Sequence, residues 1–158
     1  HGTNVGVGAE LAAESEGQGG ERGTGNLVAL GLPRTGAGAG RGTVPQAALD
    51  MSNRLGESRA LVFVAPEYNG ALPPTLVNLI AWVSVSGDED WRAAFNGKIA
   101  AIATFSGGGG QWALAAMRSQ LAYLGTTVLG RQILTNYKKP LNPESAKAVV
   151  AQLLALTA

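Results

Sequence analysis

The chain has 158 residues, a formal net charge of +1 and no cysteine. Its length suits one domain with a buried core, and its near-neutral charge gives no electrostatic footprint for nucleic acid or a membrane surface. Without cysteine, disulfides, thiolate nucleophiles and cysteine metal sites are excluded. Because no apolar run reaches the length of a membrane span and the lack of cysteine fits a reducing compartment, we expect a cytoplasmic protein.

The first third of the chain is rich in glycine, which is the compositional outlier at 23 residues. Residues 17–25 and 36–42 have the composition of flexible loops. Residues 7–15 predict a short helix with Asn4 near its start. Between the two glycine-rich segments, the apolar residues 26–33 predict a short strand.

The second third begins with clearer patterns. Residues 47–55 predict a helix, and the continuous apolar run 59–66 predicts a strand covered on both faces. Pro73 and Pro74 suit the start of a second helix, because proline is tolerated in the first helical turn.

The remainder of the chain continues the alternation of helices and strands. Residues 87–97 predict an exposed loop, and residues 98–105 predict a second buried strand. A helix then ends at Gly125, and residues 126–136 predict a further strand. Asn142 caps the predicted last helix.

Strands that alternate with helices predict an α/β fold, a doubly wound parallel sheet with helices on both faces. In such folds, ligands bind beyond the carboxyl ends of the strands. Two unusual loops follow predicted strands, PEYNG at residues 66–70 and SGGGG at residues 106–110. We therefore expect both loops at one edge of the sheet.

The two loops together suit a planar heterocycle with a polar edge. The glycines leave backbone amides bare for close approach, Tyr68 supplies a flat face with a polar tip, and Asn69 offers both a donor and an acceptor. Each loop alone has a simpler interpretation, PEYNG as a connecting turn and SGGGG as a linker.

The stretch APEYNGALPPTLVNLIAWVS closely resembles the central motif of the NADPH-dependent FMN reductase family, a flavodoxin-like group that includes quinone, chromate and azo-dye reductases. TFSGGGGQWALAAMRSQLAYLGTTVL resembles the second flavin loop of that family, and the likeness covers residues 60–134. It implies a flavodoxin-like sheet of order 2-1-3-4-5, FMN as cofactor, and NADPH or NADH as co-substrate. It also implies hydride transfer through flavin to a small acceptor such as a quinone, free flavin, chromate or an azo compound.

The resemblance assigns the chemistry to the flavin, with no catalytic protein residue and no metal. Tyr68 is the expected stacking or gating residue, and Glu67 either faces the site or pairs with an arginine. A homodimer or homotetramer is implied, with the flavin near a subunit boundary. The residues implied to bind the cofactor are Thr3, Asn4, Pro66, Glu67, Tyr68, Asn69, Gly70, Ser106, Gly107, Gly108 and Gly109.

The N-terminal end departs from the family pattern, which begins with a strand and the phosphate loop G-S-x-R-x-x-S-x-N. Thr3 and Asn4 match the end of that loop, but the sequence contains neither the first strand nor the loop's arginine and first serine. We therefore expect a single flavodoxin-like domain, residues 1–158, that is incomplete at its N-terminus. A fold without that strand would expose pairing edges.

Two other functions stay open. A flavodoxin-like electron carrier would bind FMN without taking hydride, although such carriers are usually strongly acidic, and a flavin-free binding or regulatory protein would keep only the fold. We expect Asp88, Glu89 and Asp90 to form a solvated loop and not a metal site. The sequence gives His1 no role. Lys138 and Lys139 are predicted to be surface charges, and Trp82 and Trp91 to be packing or interface residues.

Overall fold

A computed structural model describes residues 3–20, 23–87 and 89–158, without the side chain of Arg41. His1 and Asp88 therefore lie outside the described residues. Within those residues, no helix is both long and apolar enough to cross a lipid bilayer. The described helices and strands are α1 (Asn4–Gly17), α2 (Gln46–Glu57), β1 (Ala60–Val64), α3 (Pro74–Ser86), β2 (Ile99–Phe105), α4 (Gln111–Tyr123), β3 (Thr127–Val128), β4 (Ile133–Thr135) and α5 (Pro143–Ala155), with a 3₁₀ turn at Arg41–Thr43.

The sheet is parallel throughout and β2 is its centre. β1 pairs along one edge of β2, from Ala60 opposite Ile99 to Val64 opposite Ala103. β3 and β4 share the other edge of β2, β3 beside its first half and β4 beside its second. The expectation of a flavodoxin-like parallel sheet is confirmed.

The strand predicted over residues 126–136 is divided into β3 and β4. The chain leaves β2 between them, and the Arg118 guanidinium bridges the gap by donating to the carbonyl of Leu129 at 2.9 Å and to Oε1 of Gln132 at 3.0 Å. A periodic apolar pattern does not reveal such a break, because the residues on both sides of it are strand-like.

Helices cover both faces of the sheet, as the alternation predicts. Helices α2, α3 and α4 share one buried apolar cluster with the sheet, in which Leu79, Ile102 and Leu114 are buried. Helices α1 and α5 pack on the other face, where Leu11 and Val149 belong to a second cluster. The predicted N-cap of the last helix is confirmed, since the Asn142 side chain accepts from the amide of Ser145 at 3.2 Å at the start of α5.

β1 lies at the edge of the sheet, and the prediction that it is covered on both faces is wrong at its middle. Leu61 and Phe63 are buried, but Val62 between them keeps 44% of its surface exposed. Among the described residues, no strand pairs with the outer edge of β1. All residues of β1 are apolar, but the described residues cover only one of its faces fully.

Residues 26–33 do not form the predicted strand. The side chain of Asn26 accepts from the amide of Val28 at 3.1 Å, which turns the chain at once, and Gly31 takes the left-handed conformation at φ 57°. Asparagine and glycine both favour such turns over an extended ladder. The leucines of this segment instead pack singly against the cluster under α2 and α3.

The predicted exposed loop at residues 87–97 is exposed over most of its described residues but buries Ala94 and Phe95. Phe95 is fully buried, and its carbonyl accepts a 2.9 Å hydrogen bond from the Thr126 hydroxyl. Of the two roles predicted for Trp82 on α3, packing or interface, its burial supports packing, and its indole N–H donates to the carbonyl of Pro33 at 2.7 Å. Because residues 87–97 are mostly polar, their composition does not indicate that Phe95 belongs to the core.

Candidate functional site

Three loops leave the carboxyl ends of adjacent strands at the same edge of the sheet. Residues 66–70 follow β1, residues 106–110 follow β2 and residues 136–139 follow β4. Because β2 lies between the other two strands, the SGGGG loop lies between the PEYNG loop and the third loop. The predicted meeting of PEYNG and SGGGG at one edge is confirmed.

The PEYNG loop is a tight two-residue turn. The amide of Tyr68 donates to the carbonyl of Ala71 at 2.9 Å, and the amide of Ala71 donates back at 3.0 Å. Between them Asn69 and Gly70 have φ of 52° and 74°. Two successive positive φ angles define a type I′ turn, which Asn-Gly favours more than other dipeptides. The sequence therefore carried a signal for this turn that the loop interpretation did not use.

Glu67 caps helix α4 and does not pair with an arginine among the described residues. Its Oε2 accepts from the amides of Trp112 at 2.9 Å and Ala113 at 3.2 Å. A carboxylate at this position satisfies two amides that a helix start leaves unpaired and complements the helix dipole. Two amides at the start of α4 are therefore bound by a side chain of the protein itself.

Ser106 joins the two loops beneath their surface. Its Oγ accepts from the amide of Glu67 at 2.6 Å and lies 3.2 Å from Oγ1 of Thr104. Since the Thr104 hydroxyl donates its one proton to the carbonyl of Ala65 at 2.7 Å, Ser106 is the donor to Thr104. Ser106 and Thr104 are both buried. The serine therefore fixes the distance between the loops.

The four glycines of the SGGGG loop have different environments. Gly110 has a φ of 86°, and a Cβ there would lie 2.5 Å from the methyl carbon of Thr104. Around a Cβ at Gly108, in contrast, no described atom lies within 4 Å. Gly110 is thus required by packing, whereas Gly108 offers open backbone to a ligand, and the place of a Cβ at Gly107 lies 3.4 Å from the ring of Tyr137.

Thr3 and Asn4 lie near the SGGGG loop, and their side chains are engaged with backbone groups. Thr3 is the N-cap of α1, and its hydroxyl accepts from the amide of Gly6 at 3.1 Å. The side-chain amide of Asn4 donates to the carbonyl of Phe105 and accepts from its amide, both at 2.8 Å. This pair holds the start of α1 against the end of β2. Their contact with a cofactor phosphate stays a prediction.

The third loop, residues 136–139, is called here the tyrosine turn, and the sequence interpretation missed it. The ring of Tyr137 stands edge-on to that of Phe105, with centroids 5.1 Å apart, and 82% of its surface is exposed. Lys138, taken only as surface charge, lines a cleft beside the SGGGG loop. The signal available was position, since these residues follow a predicted strand at the same sheet edge.

The chain matches one family model and is similar to solved structures over nearly its whole length. Residues 8–139 match the family model described as NADPH-dependent FMN reductase. No curated protein matches the chain. Among solved structures, the chain is similar to FerB, a flavoenzyme NAD(P)H:(acceptor) oxidoreductase from Paracoccus denitrificans, at 20% identity and a TM-score of 0.74, covering 98% of this chain and 87% of that one. It is also similar to an oxidoreductase from Corynebacterium diphtheriae, at 15% identity and a TM-score of 0.60, covering 96% and 84%.

The PEYNG and SGGGG loops present backbone donors and an aromatic side chain that fit a flavin ring. In the part of the chain that the structure describes, the backbone amides of Asn69, Gly70, Gly107 and Gly108 bind no protein acceptor. These donors suit the polar edge of a planar heterocycle, and Tyr68, at 55% exposure, suits its face. Two bare glycines allow the ring to lie against the backbone.

Proposed function

Because this chain belongs to the NADPH-dependent FMN reductase family, we propose that it passes reducing equivalents from NADPH or NADH to a small acceptor such as a quinone, free flavin, chromate or an azo compound. FMN and the reduced nicotinamide are the cofactors of the family, and FMN supplies the hydride and electron chemistry when bound. The task of the protein is to bind and orient both substrates. The observation that carries the proposal is the joining of the PEYNG and SGGGG loops through Glu67 and Ser106.

The chain's own residues have distinct roles in this proposal. The hydrogen bonds of Glu67 and Ser106 fix the two loops relative to each other, so that the open amides of both face one ligand. Asn69, Gly70, Gly107 and Gly108 donate to the polar edge of the ring, and preorganised donors of this kind stabilise negative charge that develops there. Pro66 and Gly109 border the ring, and Tyr68 stacks on it or gates access. Thr3 and Asn4 lie toward the phosphate.

The first test is the visible absorption spectrum of the purified protein before and after addition of FMN, followed by desalting. We expect flavin absorption to stay with the protein, and NADPH or NADH to be oxidised when a quinone is added. Retained flavin without nicotinamide oxidation would indicate an electron carrier instead. A folded protein that retains no flavin would contradict the proposal.

We also propose that the chain forms a homodimer or homotetramer through the outer face of α4. Trp112 and Tyr123 lie about three turns apart on this helix, with 62% and 74% of their surfaces exposed. Trp91 extends the same surface, with its ring centroid 6.1 Å from that of Tyr123. Exposed aromatics grouped on one face are typical of protein interfaces.

Light scattering after size exclusion tests the assembly. Tyr123→Ser is expected to shift the protein toward the monomer, whereas Val28→Ser, a change at an equally exposed apolar residue far along the chain, should leave the mass unchanged. Equal masses for the parent and both variants would contradict an interface on α4.

We further propose a cytoplasmic location, where NAD(P)H is available, and cell fractionation checks it.

A further inference from the structure

The SGGGG loop has two sides, and only one of them faces the PEYNG loop. Its other side faces the tyrosine turn, because β2 lies between β1 and β4. Between the SGGGG loop and the tyrosine turn is a separate cleft of about 280 Å³. The residues that line it are Gly107, Gly108, Gly109, Asn136, Tyr137 and Lys138.

The tyrosine turn is held rigidly by its own hydrogen bonds. Asn136 and Lys139 exchange backbone hydrogen bonds of 2.9 and 3.2 Å. The side-chain Oδ1 of Asn136 also accepts from the amides of Lys138 and Lys139, at 2.9 and 2.8 Å. An asparagine that binds the backbone two and three residues on fixes the turn. The aromatic and cationic side chains it carries are therefore presented from a preorganised backbone.

Packing does not account for the side chain of Tyr137. Its ring approaches the place of a Gly107 Cβ at 3.4 Å and contacts Phe105 by its edge, yet most of the ring faces solvent. An exposed aromatic face beside bare backbone suits a planar ligand. None of the described residues that line the cleft is acidic, and Lys138 supplies a positive charge at its wall.

From this arrangement we propose that the cleft binds the anionic group of a planar substrate, with Lys138 as the charge contact and Tyr137 as the ring contact. The inference rests on the proposed function and assigns specificity within it. The anionic group is either a phosphate of the nicotinamide dinucleotide or the acid group of a charged acceptor. Both present the same chemistry, a multi-oxygen anion on a molecule that also carries a planar aromatic ring, and a lysine ammonium binds such an anion as a point charge.

The test is binding of unreactive probes to the FMN-loaded protein, measured by isothermal titration calorimetry. The probes are NADP⁺, NAD⁺, anthraquinone-2-sulfonate and the neutral 2-(hydroxymethyl)anthraquinone. We expect Lys138→Ala to weaken at least one charged probe by roughly 3- to 10-fold, about the loss of one modest charge contact, and to leave the neutral probe within twofold. The affinity of that charged probe for the parent protein should also fall with added salt.

The pattern across the probes identifies the source of the anion. If Lys138→Ala lowers the affinity for NADP⁺ alone, the lysine binds the ribose phosphate. If it lowers the affinity for both dinucleotides, the lysine binds the pyrophosphate. Weakening of the sulfonate alone indicates a charged acceptor. Tyr137→Ser should weaken charged and neutral quinones alike, and Tyr137→Phe should restore both. Lys147→Ala, which removes an exposed lysine from α5, is the matched control and should change none of these affinities.

Three results would overturn the inference. The first is no charged probe binding to the parent, and the second is Lys138→Ala weakening none of them beyond the Lys147→Ala control. The third is a changed FMN affinity or flavin midpoint potential in Lys138→Ala, which would place the lysine at the cofactor instead. The proposed function fails separately, when the FMN-loaded parent oxidises neither NADPH nor NADH with any acceptor, because the titrations require bound flavin but no turnover.

Discussion

Glu67 illustrates how one side chain serves both stability and the site. Its carboxylate satisfies two amides at the start of α4, while its own amide is held by Ser106. The sequence placed this residue in a binding loop but left its partner open. A helix start more than forty residues away along the chain supplies that partner, and no local pattern in the sequence reveals such a contact.

Replacing Glu67 by alanine should destabilise the fold by about 1–2 kcal/mol, the usual cost of losing a helix cap. Glu67→Gln keeps an acceptor and should lose less. The measurement is the free energy of unfolding in urea, with Glu57→Ala at an exposed position as the control. The capping role would be contradicted if Glu67→Ala had the same free energy of unfolding as this control.

Tyr68→Ala should affect flavin binding and turnover more than stability, because over half of the side chain is exposed in the protein alone. We expect a several-fold loss in kcat/KM or in FMN affinity and an unfolding free energy within about 0.5 kcal/mol of the parent. Tyr68→Phe keeps the ring and should stay close to the parent. Unchanged kinetics with flavin bound in Tyr68→Ala would remove the stacking role.

At the scale of helices and strands, the sequence predicted most of the fold. The strands near residues 60 and 100 and the helices after them are where the apolar pattern predicts them, although β1 is buried on one face only. The failures have specific causes. The turn at Asn26 depends on one local hydrogen bond, the gap between β3 and β4 is bridged by the distant Arg118, and the burial of Phe95 depends on tertiary packing. Patterns averaged over several residues do not resolve these effects.

The SGGGG loop provides a matched pair of substitutions. Gly110→Ala combines a left-handed φ with a 2.5 Å approach to Thr104 and should cost about 2–4 kcal/mol. Gly108→Ala meets no described atom and should leave the unfolding free energy nearly unchanged, while lowering FMN affinity by blocking the bare backbone. Thermal unfolding and FMN titration measure the two effects. Equal stability of the two variants would show that the loop is more adaptable than its packing indicates.

For the whole molecule, the site is an outcome of topology. Three loops far apart in sequence reach one edge because the strands are parallel, and β2 at the centre sets their order. Loop composition predicted two of the three. The tyrosine turn escaped notice because lysines and an exposed tyrosine are ordinary surface residues until their neighbours are known.

The sheet has one open edge at β1, because among the described residues β1 pairs with β2 on one side and with no strand on the other. In a concentrated solution, an apolar strand edge of this kind is a template on which another chain can add its own strand.

We therefore expect the 158-residue chain by itself to precipitate slowly when it is stored at high concentration. Val62→Lys, which places a charge at the middle of the edge strand, should keep more of it in the supernatant. Val28→Lys removes a similar apolar surface away from any strand and should give little protection. The measurement is the amount of protein left in solution after equal samples are stored for days and centrifuged. Equal protection by the two variants would show that the edge of β1 does not cause the precipitation.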